Sequence, residues 1–132
     1  MSDHRDLRDE QGQSMVELAI IMPVLCLILF GILQFGIVFN NYLTLTDAVR
    51  SGARVAAVSR NAGDPVAPTE ARVRTAAGDL DQVKLKVYVS PSGGWAPGSS
   101  VEVKATYPYE INLLGLVVKS GNLTSKTTER VE

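Results

Sequence analysis

Cysteine and histidine are almost missing from this chain of 132 residues, which has one of each. Cys26 alone cannot form an intramolecular disulfide, and it lies in an apolar run, where a thiol usually acts as a small hydrophobic side chain. With His4 as the one histidine, the chain cannot build a Ser/His/Asp or Cys/His catalytic site by itself. The two residues are also too few for a zinc site. We therefore predict no enzyme, no cofactor and no bound metal.

An excess of positive charge is missing as well. The formal net charge is -1, which argues against the overall basic field that nucleic-acid-binding proteins carry. The Gly-rich stretch PSGGWAPG lacks both the Lys-Ser/Thr ending and the following helix of a phosphate-binding loop. We therefore expect no nucleic acid as a partner.

Charged side chains are absent from Leu18 to Thr46, and Leu18–Phe39 is apolar apart from Pro23 and Gln34. A bilayer core of about 30 Å needs about 20 apolar residues in a helix, so this run predicts a transmembrane helix. The alternatives fit less well. A domain of this size would struggle to surround a buried helix of this kind, and a secretory signal has a shorter apolar core after a basic segment. Arginines flank the run on both sides, so charge counting leaves its orientation open.

The helix is predicted to continue beyond the membrane, from about Ser14 to Arg60 and over roughly 70 Å. Its outer half carries residues at helical spacing that form one stripe: Val49, Ala53, Ala56, Ala57 and Arg60. Gly52 would let a neighbouring element approach closely. A rod of this length needs partners along the stripe, or a small domain packed on its outer half.

The C-terminal half of the sequence predicts such a domain. Pro68–Leu80 has the start and stop signals of a short helix. Gln82–Ser90 and Val101–Tyr107 alternate apolar and polar residues, as half-buried strands do, and a Pro/Gly/Ser loop joins them as a hairpin. The first strand should place four apolar residues on one face: Val83, Leu85, Val87 and Val89. Pro108 should end the second strand or confine it to an edge.

The last part of the chain is less regular. Glu110–Val118 is apolar without a clear period and is compatible with a loop or a short helix, whereas Leu123–Val131 predicts a third strand. The predicted fold class is α+β: a long N-terminal transmembrane helix, then a small domain with a short helix and an antiparallel sheet of about three strands. Trp95, in the hairpin loop, is either an anchor for a partner or a ring folded back on the sheet.

A carboxylate, Glu17, opens the apolar run five residues after Gly12. A charge there is costly unless it reaches the interface or pairs. We expect Glu17 about one turn into the helix, where the helix dipole favours negative charge; the alternative is a glutamate at headgroup level without a special role. A Gly, four residues and a Glu opening an apolar helix resemble the prepilin processing site of type IV pilin-like proteins. The resemblance implies that a membrane peptidase cuts between Gly12 and Gln13. The freed α-amine of Gln13 could then pair with Glu17 of a neighbouring subunit.

The longer run from Gly12 to Ala57 resembles the TadE-like family, the minor pilins or pseudopilins of tight-adherence (Flp) pilus systems. That family combines a G-Q-x-x-V-E start, a proline in the apolar helix, an F-G pair and an A-x-R-x-G-A-R-x-A-A stretch. The matching residues are Gly12, Gln13, Val16, Glu17, Ala19, Pro23, Gly31, Phe35, Gly36, Ala48, Arg50, Gly52, Ala53, Arg54, Ala56 and Ala57.

The resemblance implies an organisation and a set of partners. Residues 1–12 would be a cytoplasmic leader that is cleaved, residues 13–60 a long helix that spans the cytoplasmic membrane at about 15–40, and residues 61–132 an extracytoplasmic domain. The implied partners are membrane lipid, a prepilin peptidase, the major pilin and other minor pilins, and the membrane platform of the pilus machine. Incorporation into the extracellular pilus would follow cleavage.

We expect physical roles for several residues of the matching run. Pro23 removes an amide donor, so a kink is expected there. Small residues allow helices to pack closely; these are Gly31, Gly36, Gly52 and Ala53. Arg50 and Arg54 either bind phosphates or a partner's acidic groups, or are solvated. The rival hypothesis is an uncleaved single-pass anchor that displays a small β-rich binding module, for which Gly12 and Glu17 would not matter.

Overall fold

The fold is a long helix with a small α+β domain packed on its C-terminal part. It is given by a computed structural model that describes residues 3–113 and 115–132, with side chains from Gly12 onward. The elements are α1 (Asp3–Val58), α2 (Val66–Ala76), β1 (Lys86–Ser92), β2 (Ser100–Leu113) and β3 (Leu116–Arg130). The three strands form one antiparallel sheet in the order β1-β2-β3. The predicted fold class is confirmed.

Helix α1 begins earlier than the sequence predicted. Its backbone is helical from Asp3, through Gly12 and Pro23, to Val58, whereas we expected a start near Ser14 and an end at Arg60. A single glycine costs a helix only about 1 kcal/mol, so Gly12 does not break it. Consequently Glu17 does not lie in the first turn of α1 in the full-length chain, and the expectation about the helix dipole is wrong for this form.

The stripe on the outer part of α1 forms one wall of the hydrophobic core. Its small side chains allow the other elements to approach closely, and five of them have no exposed surface: Leu45, Ala48, Val49, Ala53 and Ala56. Ala57 is also buried. The predicted stripe is confirmed for Val49 and the three alanines, but Arg60 lies beyond the end of α1 and is exposed. The expected small domain therefore covers this part of the rod.

Helix α2 packs across α1 at Gly52. It begins at Val66, earlier than the expected Pro68, and Asp64 Oδ1 accepts the N–H of Val66 at 3.0 Å just before the first turn. A Cβ built on Gly52 would collide with Cγ2 of Val73 and would lie 3.4 Å from the carbonyl oxygen of Thr69. Because both Val73 and Thr69 are fully buried, Gly52 is what permits this close approach, as predicted.

The sheet covers the rest of the stripe. β1 starts at Lys86 rather than Gln82, because residues 81–85 form a turn in which Asp81 O accepts the N–H groups of Lys84 and Leu85. As a result Val83 points outward and is 93% exposed, against the prediction, whereas Leu85 is buried as predicted. The loop to β2 uses three glycines with positive φ: Gly93, Gly94 and Gly98.

Strands β2 and β3 form a hairpin that extends beyond β1. β1 pairs with β2 only from Ser100 to Thr106, whereas β2 and β3 pair from Ser100↔Arg130 to Leu113↔Leu116. The ambiguous stretch 110–118 is therefore strand–turn–strand, and the alternatives of a loop or short helix are wrong. Pro108 does not end β2, but it lies where β2 has a single neighbouring strand, so a proline is tolerated.

The core is built mainly from α1, α2, β2 and the segments beside the strands. Besides the stripe of α1 it contains Val73, Ala77, Leu80, Leu85, Val101, Val103, Ala105 and Val131. Partly buried side chains of β1 and β3 pack against it, namely Val87, Val89 and Leu123. The end of β3 is tied to the end of α1, because Glu132 N donates to Ala57 O at 3.0 Å. The outer part of α1 is therefore an integral part of the domain.

Replacing Gly52 with alanine should destabilise the domain. The new methyl group would collide with the stiff, buried Val73 side chain, and overpacking of this kind costs typically 1–3 kcal/mol. Thermal unfolding of the full chain in detergent, followed by fluorescence of Trp95, should show a lower midpoint. In a Val73→Ala background, which removes the opposing methyl groups, Gly52→Ala should instead be neutral or stabilising. An equal loss in both backgrounds would contradict the contact.

Candidate functional site

The segment of α1 from Leu18 to Phe39 is apolar around the helix, and no other element of the described chain packs on its most apolar window. Gly12–Val58 contains a stretch long and apolar enough to cross a membrane, and none of the most apolar window is buried by the protein. Large side chains are exposed at successive positions around the helix, such as Ile20, Ile32 and Phe35 at 63–67%. A helix with exposed apolar groups all round is suited to lipid rather than to water. This surface is consistent with a single-pass membrane protein.

Glu17 is the one charged residue between Gly12 and Thr46. It lies on the exposed surface of α1, and its described contact is weak: Gln13 Nε2 donates to Glu17 Oε1 at 3.4 Å, one turn earlier in the helix. Among the residues whose side chains the structure describes, none forms an ion pair with Glu17. The carboxylate therefore remains available to a cationic group outside this chain.

The predicted packing positions of α1 fall into two groups. Gly31 and Gly36 lie in the apolar part, and a Cβ added at either would meet nothing within 4 Å, so space beside them is open. Gly52 and Ala53 are buried under α2 and the sheet, so they serve packing within the chain. Pro23 lies inside α1 without interrupting the helix.

The two predicted arginines belong to a larger basic patch. Arg50 and Arg54 are exposed one turn apart on α1, and Arg72 from α2 joins them at the rim of a shallow cleft. Arg72 Nε donates to Ser51 Oγ at 2.7 Å, which fixes its stem beside α1. Asp47 offsets part of the charge, 3.9 Å from Arg50 in an exposed pair. Sequence reasoning missed Arg72, because its place depends on how α2 packs at Gly52.

A second basic surface lies on the outer face of the sheet. Lys104 of β2 pairs directly with Lys126 of β3 on one side and with Tyr88 of β1 on the other. Lys86 lies on the same face, and Lys126 Nζ is 3.4 Å from Glu102 Oε2. Like charges in directly opposed positions are unfavourable. The strand alternation already indicated that these lysines face away from the core.

Trp95 does not stand out as an anchor. Its ring is half-buried and packs against the core, which agrees with the ring folded back on the domain rather than with a free contact residue. Within the part of the chain that the structure describes, no group of three or more His, Cys, Asp or Glu side chains could hold a metal ion. Cys26 is an exposed thiol on the apolar part of α1.

The sequence matches one family model. Residues 12–54 match the family described as TadE-like protein, a match that begins at Gly12, contains Glu17 and ends at Arg54. It thus covers the apolar span and most of the stripe that carries the domain, and it confirms the resemblance noted above. No curated protein and no solved structure matches the chain.

The matched family indicates a functional class. TadE-like proteins are structural components of pilus systems and not an enzyme family. For that family, membrane association and other pilus components as partners are implied. The matched segment contains both the exposed apolar surface of α1 and Glu17. Residues 12–54 of this chain are thus similar to TadE-like proteins, the family of the tight-adherence pilus.

Proposed function

We propose that this protein is a minor pilin or pseudopilin-like subunit of a tight-adherence (Flp, type IVc) pilus system. Helix α1 would hold it in the cytoplasmic membrane, with the N-terminus in the cytoplasm and residues 61–132 outside. A prepilin peptidase would cut between Gly12 and Gln13, and the mature chain would join the major pilin and other minor pilins at the membrane platform. The observation that carries this proposal is a single carboxylate, Glu17, at the start of the apolar segment of α1, which no other described element covers.

The cost of the charge supports a role for Glu17. An ionised side chain within a membrane segment costs on the order of 3 kcal/mol at the bilayer centre and less near the edge. Among the described side chains, the 3.4 Å contact with Gln13 is the one hydrogen bond that compensates it. Cleavage would place a positively charged α-amine on Gln13 of each mature chain. Pairing that amine with Glu17 of a neighbour would neutralise both charges where water is scarce.

Cleavage would also change the position of Glu17 in its helix. In the full-length chain α1 starts at Asp3, so Glu17 lies several turns from the helix start. After removal of residues 1–12, Glu17 would lie in the second turn of the shortened helix, close to its free N–H groups. The helix dipole would then favour the carboxylate. The leader would therefore keep Glu17 away from a helix terminus until the peptidase has acted.

The open surface around Gly31 and Gly36 supports packing between helices. Apolar helices in lipid gain little from burial alone, so their association depends on close contact at small residues. No described side chain fills the space beside these two glycines. A neighbouring subunit could therefore approach the α1 backbone there. By contrast, the glycine and alanine at 52 and 53 are already covered by the domain.

Processing is the first prediction. The protein recovered from membranes should start at Gln13 when the host's prepilin peptidase is present and should keep its leader when the peptidase is deleted, as measured by intact mass. Gly12→Val should abolish this cleavage. Gly31→Ala is a matched control, because a Cβ at either glycine meets nothing within 4 Å, and it should be processed normally. An uncleaved chain in both hosts would favour the permanent anchor that displays its domain.

The second prediction concerns Glu17. Glu17→Leu and Glu17→Gln should still be cleaved and inserted, because neither change lowers the apolarity of α1, but both should be lost from the sheared pilus fraction. The reason is that neither side chain carries the negative charge that would pair with a neighbour's α-amine. Gln34→Leu removes the other polar side chain of the apolar run and should leave incorporation unchanged. Immunoblots of sheared and membrane fractions measure this, and wild-type incorporation of Glu17→Leu would refute the proposed pairing.

A further inference from the structure

The β2–β3 hairpin ends in a cluster of exposed apolar side chains. Leu116, Val117 and Val118 are 75%, 56% and 62% exposed, and Ile111 and Leu113 are partly exposed on the facing strand. Outside α1, the other exposed large hydrophobic residues in the described chain are the separate Val83 and Tyr88. We call these five side chains the hairpin tip: Ile111, Leu113, Leu116, Val117 and Val118. A cluster of this kind usually marks a contact surface.

The direction of the hairpin is fixed at its base. Val131 follows β3 and its N–H donates to Ser99 O, next to the start of β2, while Glu132 N donates to Ala57 O near the outer end of α1. β2 therefore starts at the outer end of the buried stripe. Since β2 packs on that stripe through Val101, Val103 and Ala105, it must run back along α1 toward the apolar segment.

The core of the domain ends at a definite position on α1 and on the β2–β3 hairpin. Leu45 is the first buried side chain of α1, and the apolar residues before it are exposed from Leu43 toward the N-terminus. Tyr107 and Leu123 are the last side chains of β2 and β3, in the direction of the tip, that pack against the core. Tyr107 Oη also accepts the N–H of Asp81 at 3.4 Å, at the turn that follows α2.

The hairpin continues well past this boundary. From Tyr107 to Leu113 the strand extends by about 20 Å, at about 3.4 Å per residue. Along α1 the same distance corresponds to about 13 residues, at 1.5 Å per residue. The exposed apolar surface of α1 resumes at Leu43, only two residues below Leu45. An inclination of the strands to α1 shortens the reach of the tip but does not reverse its direction.

We infer that the hairpin tip inserts into the outer-leaflet interface of the bilayer that α1 spans, as a second and shallow membrane contact. Continuity with the span identifies lipid as the occupant, because the tip points along α1 toward its lipid-exposed surface. Lys119 follows the tip and is exposed opposite Ile111, where its side chain can extend to lipid phosphates. The inference rests on the span and, for the choice of the outer leaflet, on the orientation in the proposed function; it is independent of cleavage and filament assembly.

The backbone limits the depth of insertion. Beyond Thr106 the hairpin has no third strand, so both of its edges carry unpaired N–H and C=O groups. Such groups cannot enter the hydrocarbon core without water or a partner. Apolar side chains at the headgroup and acyl boundary, with a depth of roughly 5–10 Å, satisfy both requirements. The tip therefore anchors the domain beside α1 without crossing the membrane.

The test places one fluorescent label at a time on the full chain in phospholipid vesicles. Cys26→Ala removes the native thiol, and an environment-sensitive dye is attached at Val117→Cys in the tip. Thr128→Cys, exposed at the other end of β3, is the matched control for water, and Leu29→Cys in the span is the control for lipid. Quenching by iodide in water and by brominated acyl chains is measured at low and high protein-to-lipid ratios.

At low protein density the tip label should emit at shorter wavelength than the Thr128 label. Compared with that control, iodide should quench it much less, and bromines near the headgroups should quench it more. A tip label accessible to iodide, with the Leu29 label in lipid, would overturn the inference while leaving the span intact. Protection of the tip that appears only at high protein density would also overturn it, in favour of contact between copies. A Leu29 label outside lipid would overturn the span and this inference together.

Discussion

The fold depends on the close packing of α2 and the sheet against a stripe of small side chains on α1. Alanines and Gly52 bring the neighbouring backbones near the helix, and Val73 fits into the space that the missing side chain of Gly52 leaves. The three-stranded sheet is small and has no second layer of its own. Without the helix surface its inner face would be open to water, and a sheet of this size needs such a partner for stability.

One helix therefore serves two environments. From Leu18 to Leu43 the side chains of α1 are mostly apolar and exposed, whereas from Leu45 the inward side chains form the core of the domain. The change occurs within a few residues, without a break in the helix. The absence of a linker sets the height of the domain above the membrane, since each residue of α1 contributes about 1.5 Å. A family match that covers both parts, residues 12–54, agrees with this continuity.

Much of the fold was predictable because periodicity reports burial directly. The alanine stripe and the alternating strands each have a clear period, and the structure confirms them except at Arg60 and Val83. The long apolar run forms a helix able to cross a membrane. The predictions for two other stretches were wrong for physical reasons. Gly12 is a weak helix breaker and did not end α1, and the apolar residues 110–118 have no period because they form the exposed end of a hairpin. For the candidate site, the exposed positions of Arg50 and Arg54 on α1 followed from sequence. The distance of Glu17 from the helix start did not, because α1 begins at Asp3, and Arg72 required knowledge of how α2 docks.

The uninterrupted helix has a rotational consequence. Glu17 and Ala53 are separated by about ten full turns at about 3.6 residues per turn, so in a straight helix they face the same direction around the axis. Ala53 is buried against the domain, so with that geometry the domain would lie on the side of α1 that carries the carboxylate. With no swivel between them, turning the span within the bilayer turns the sheet by the same angle. The direction in which Glu17 points around the helix axis therefore fixes the direction in which the domain lies.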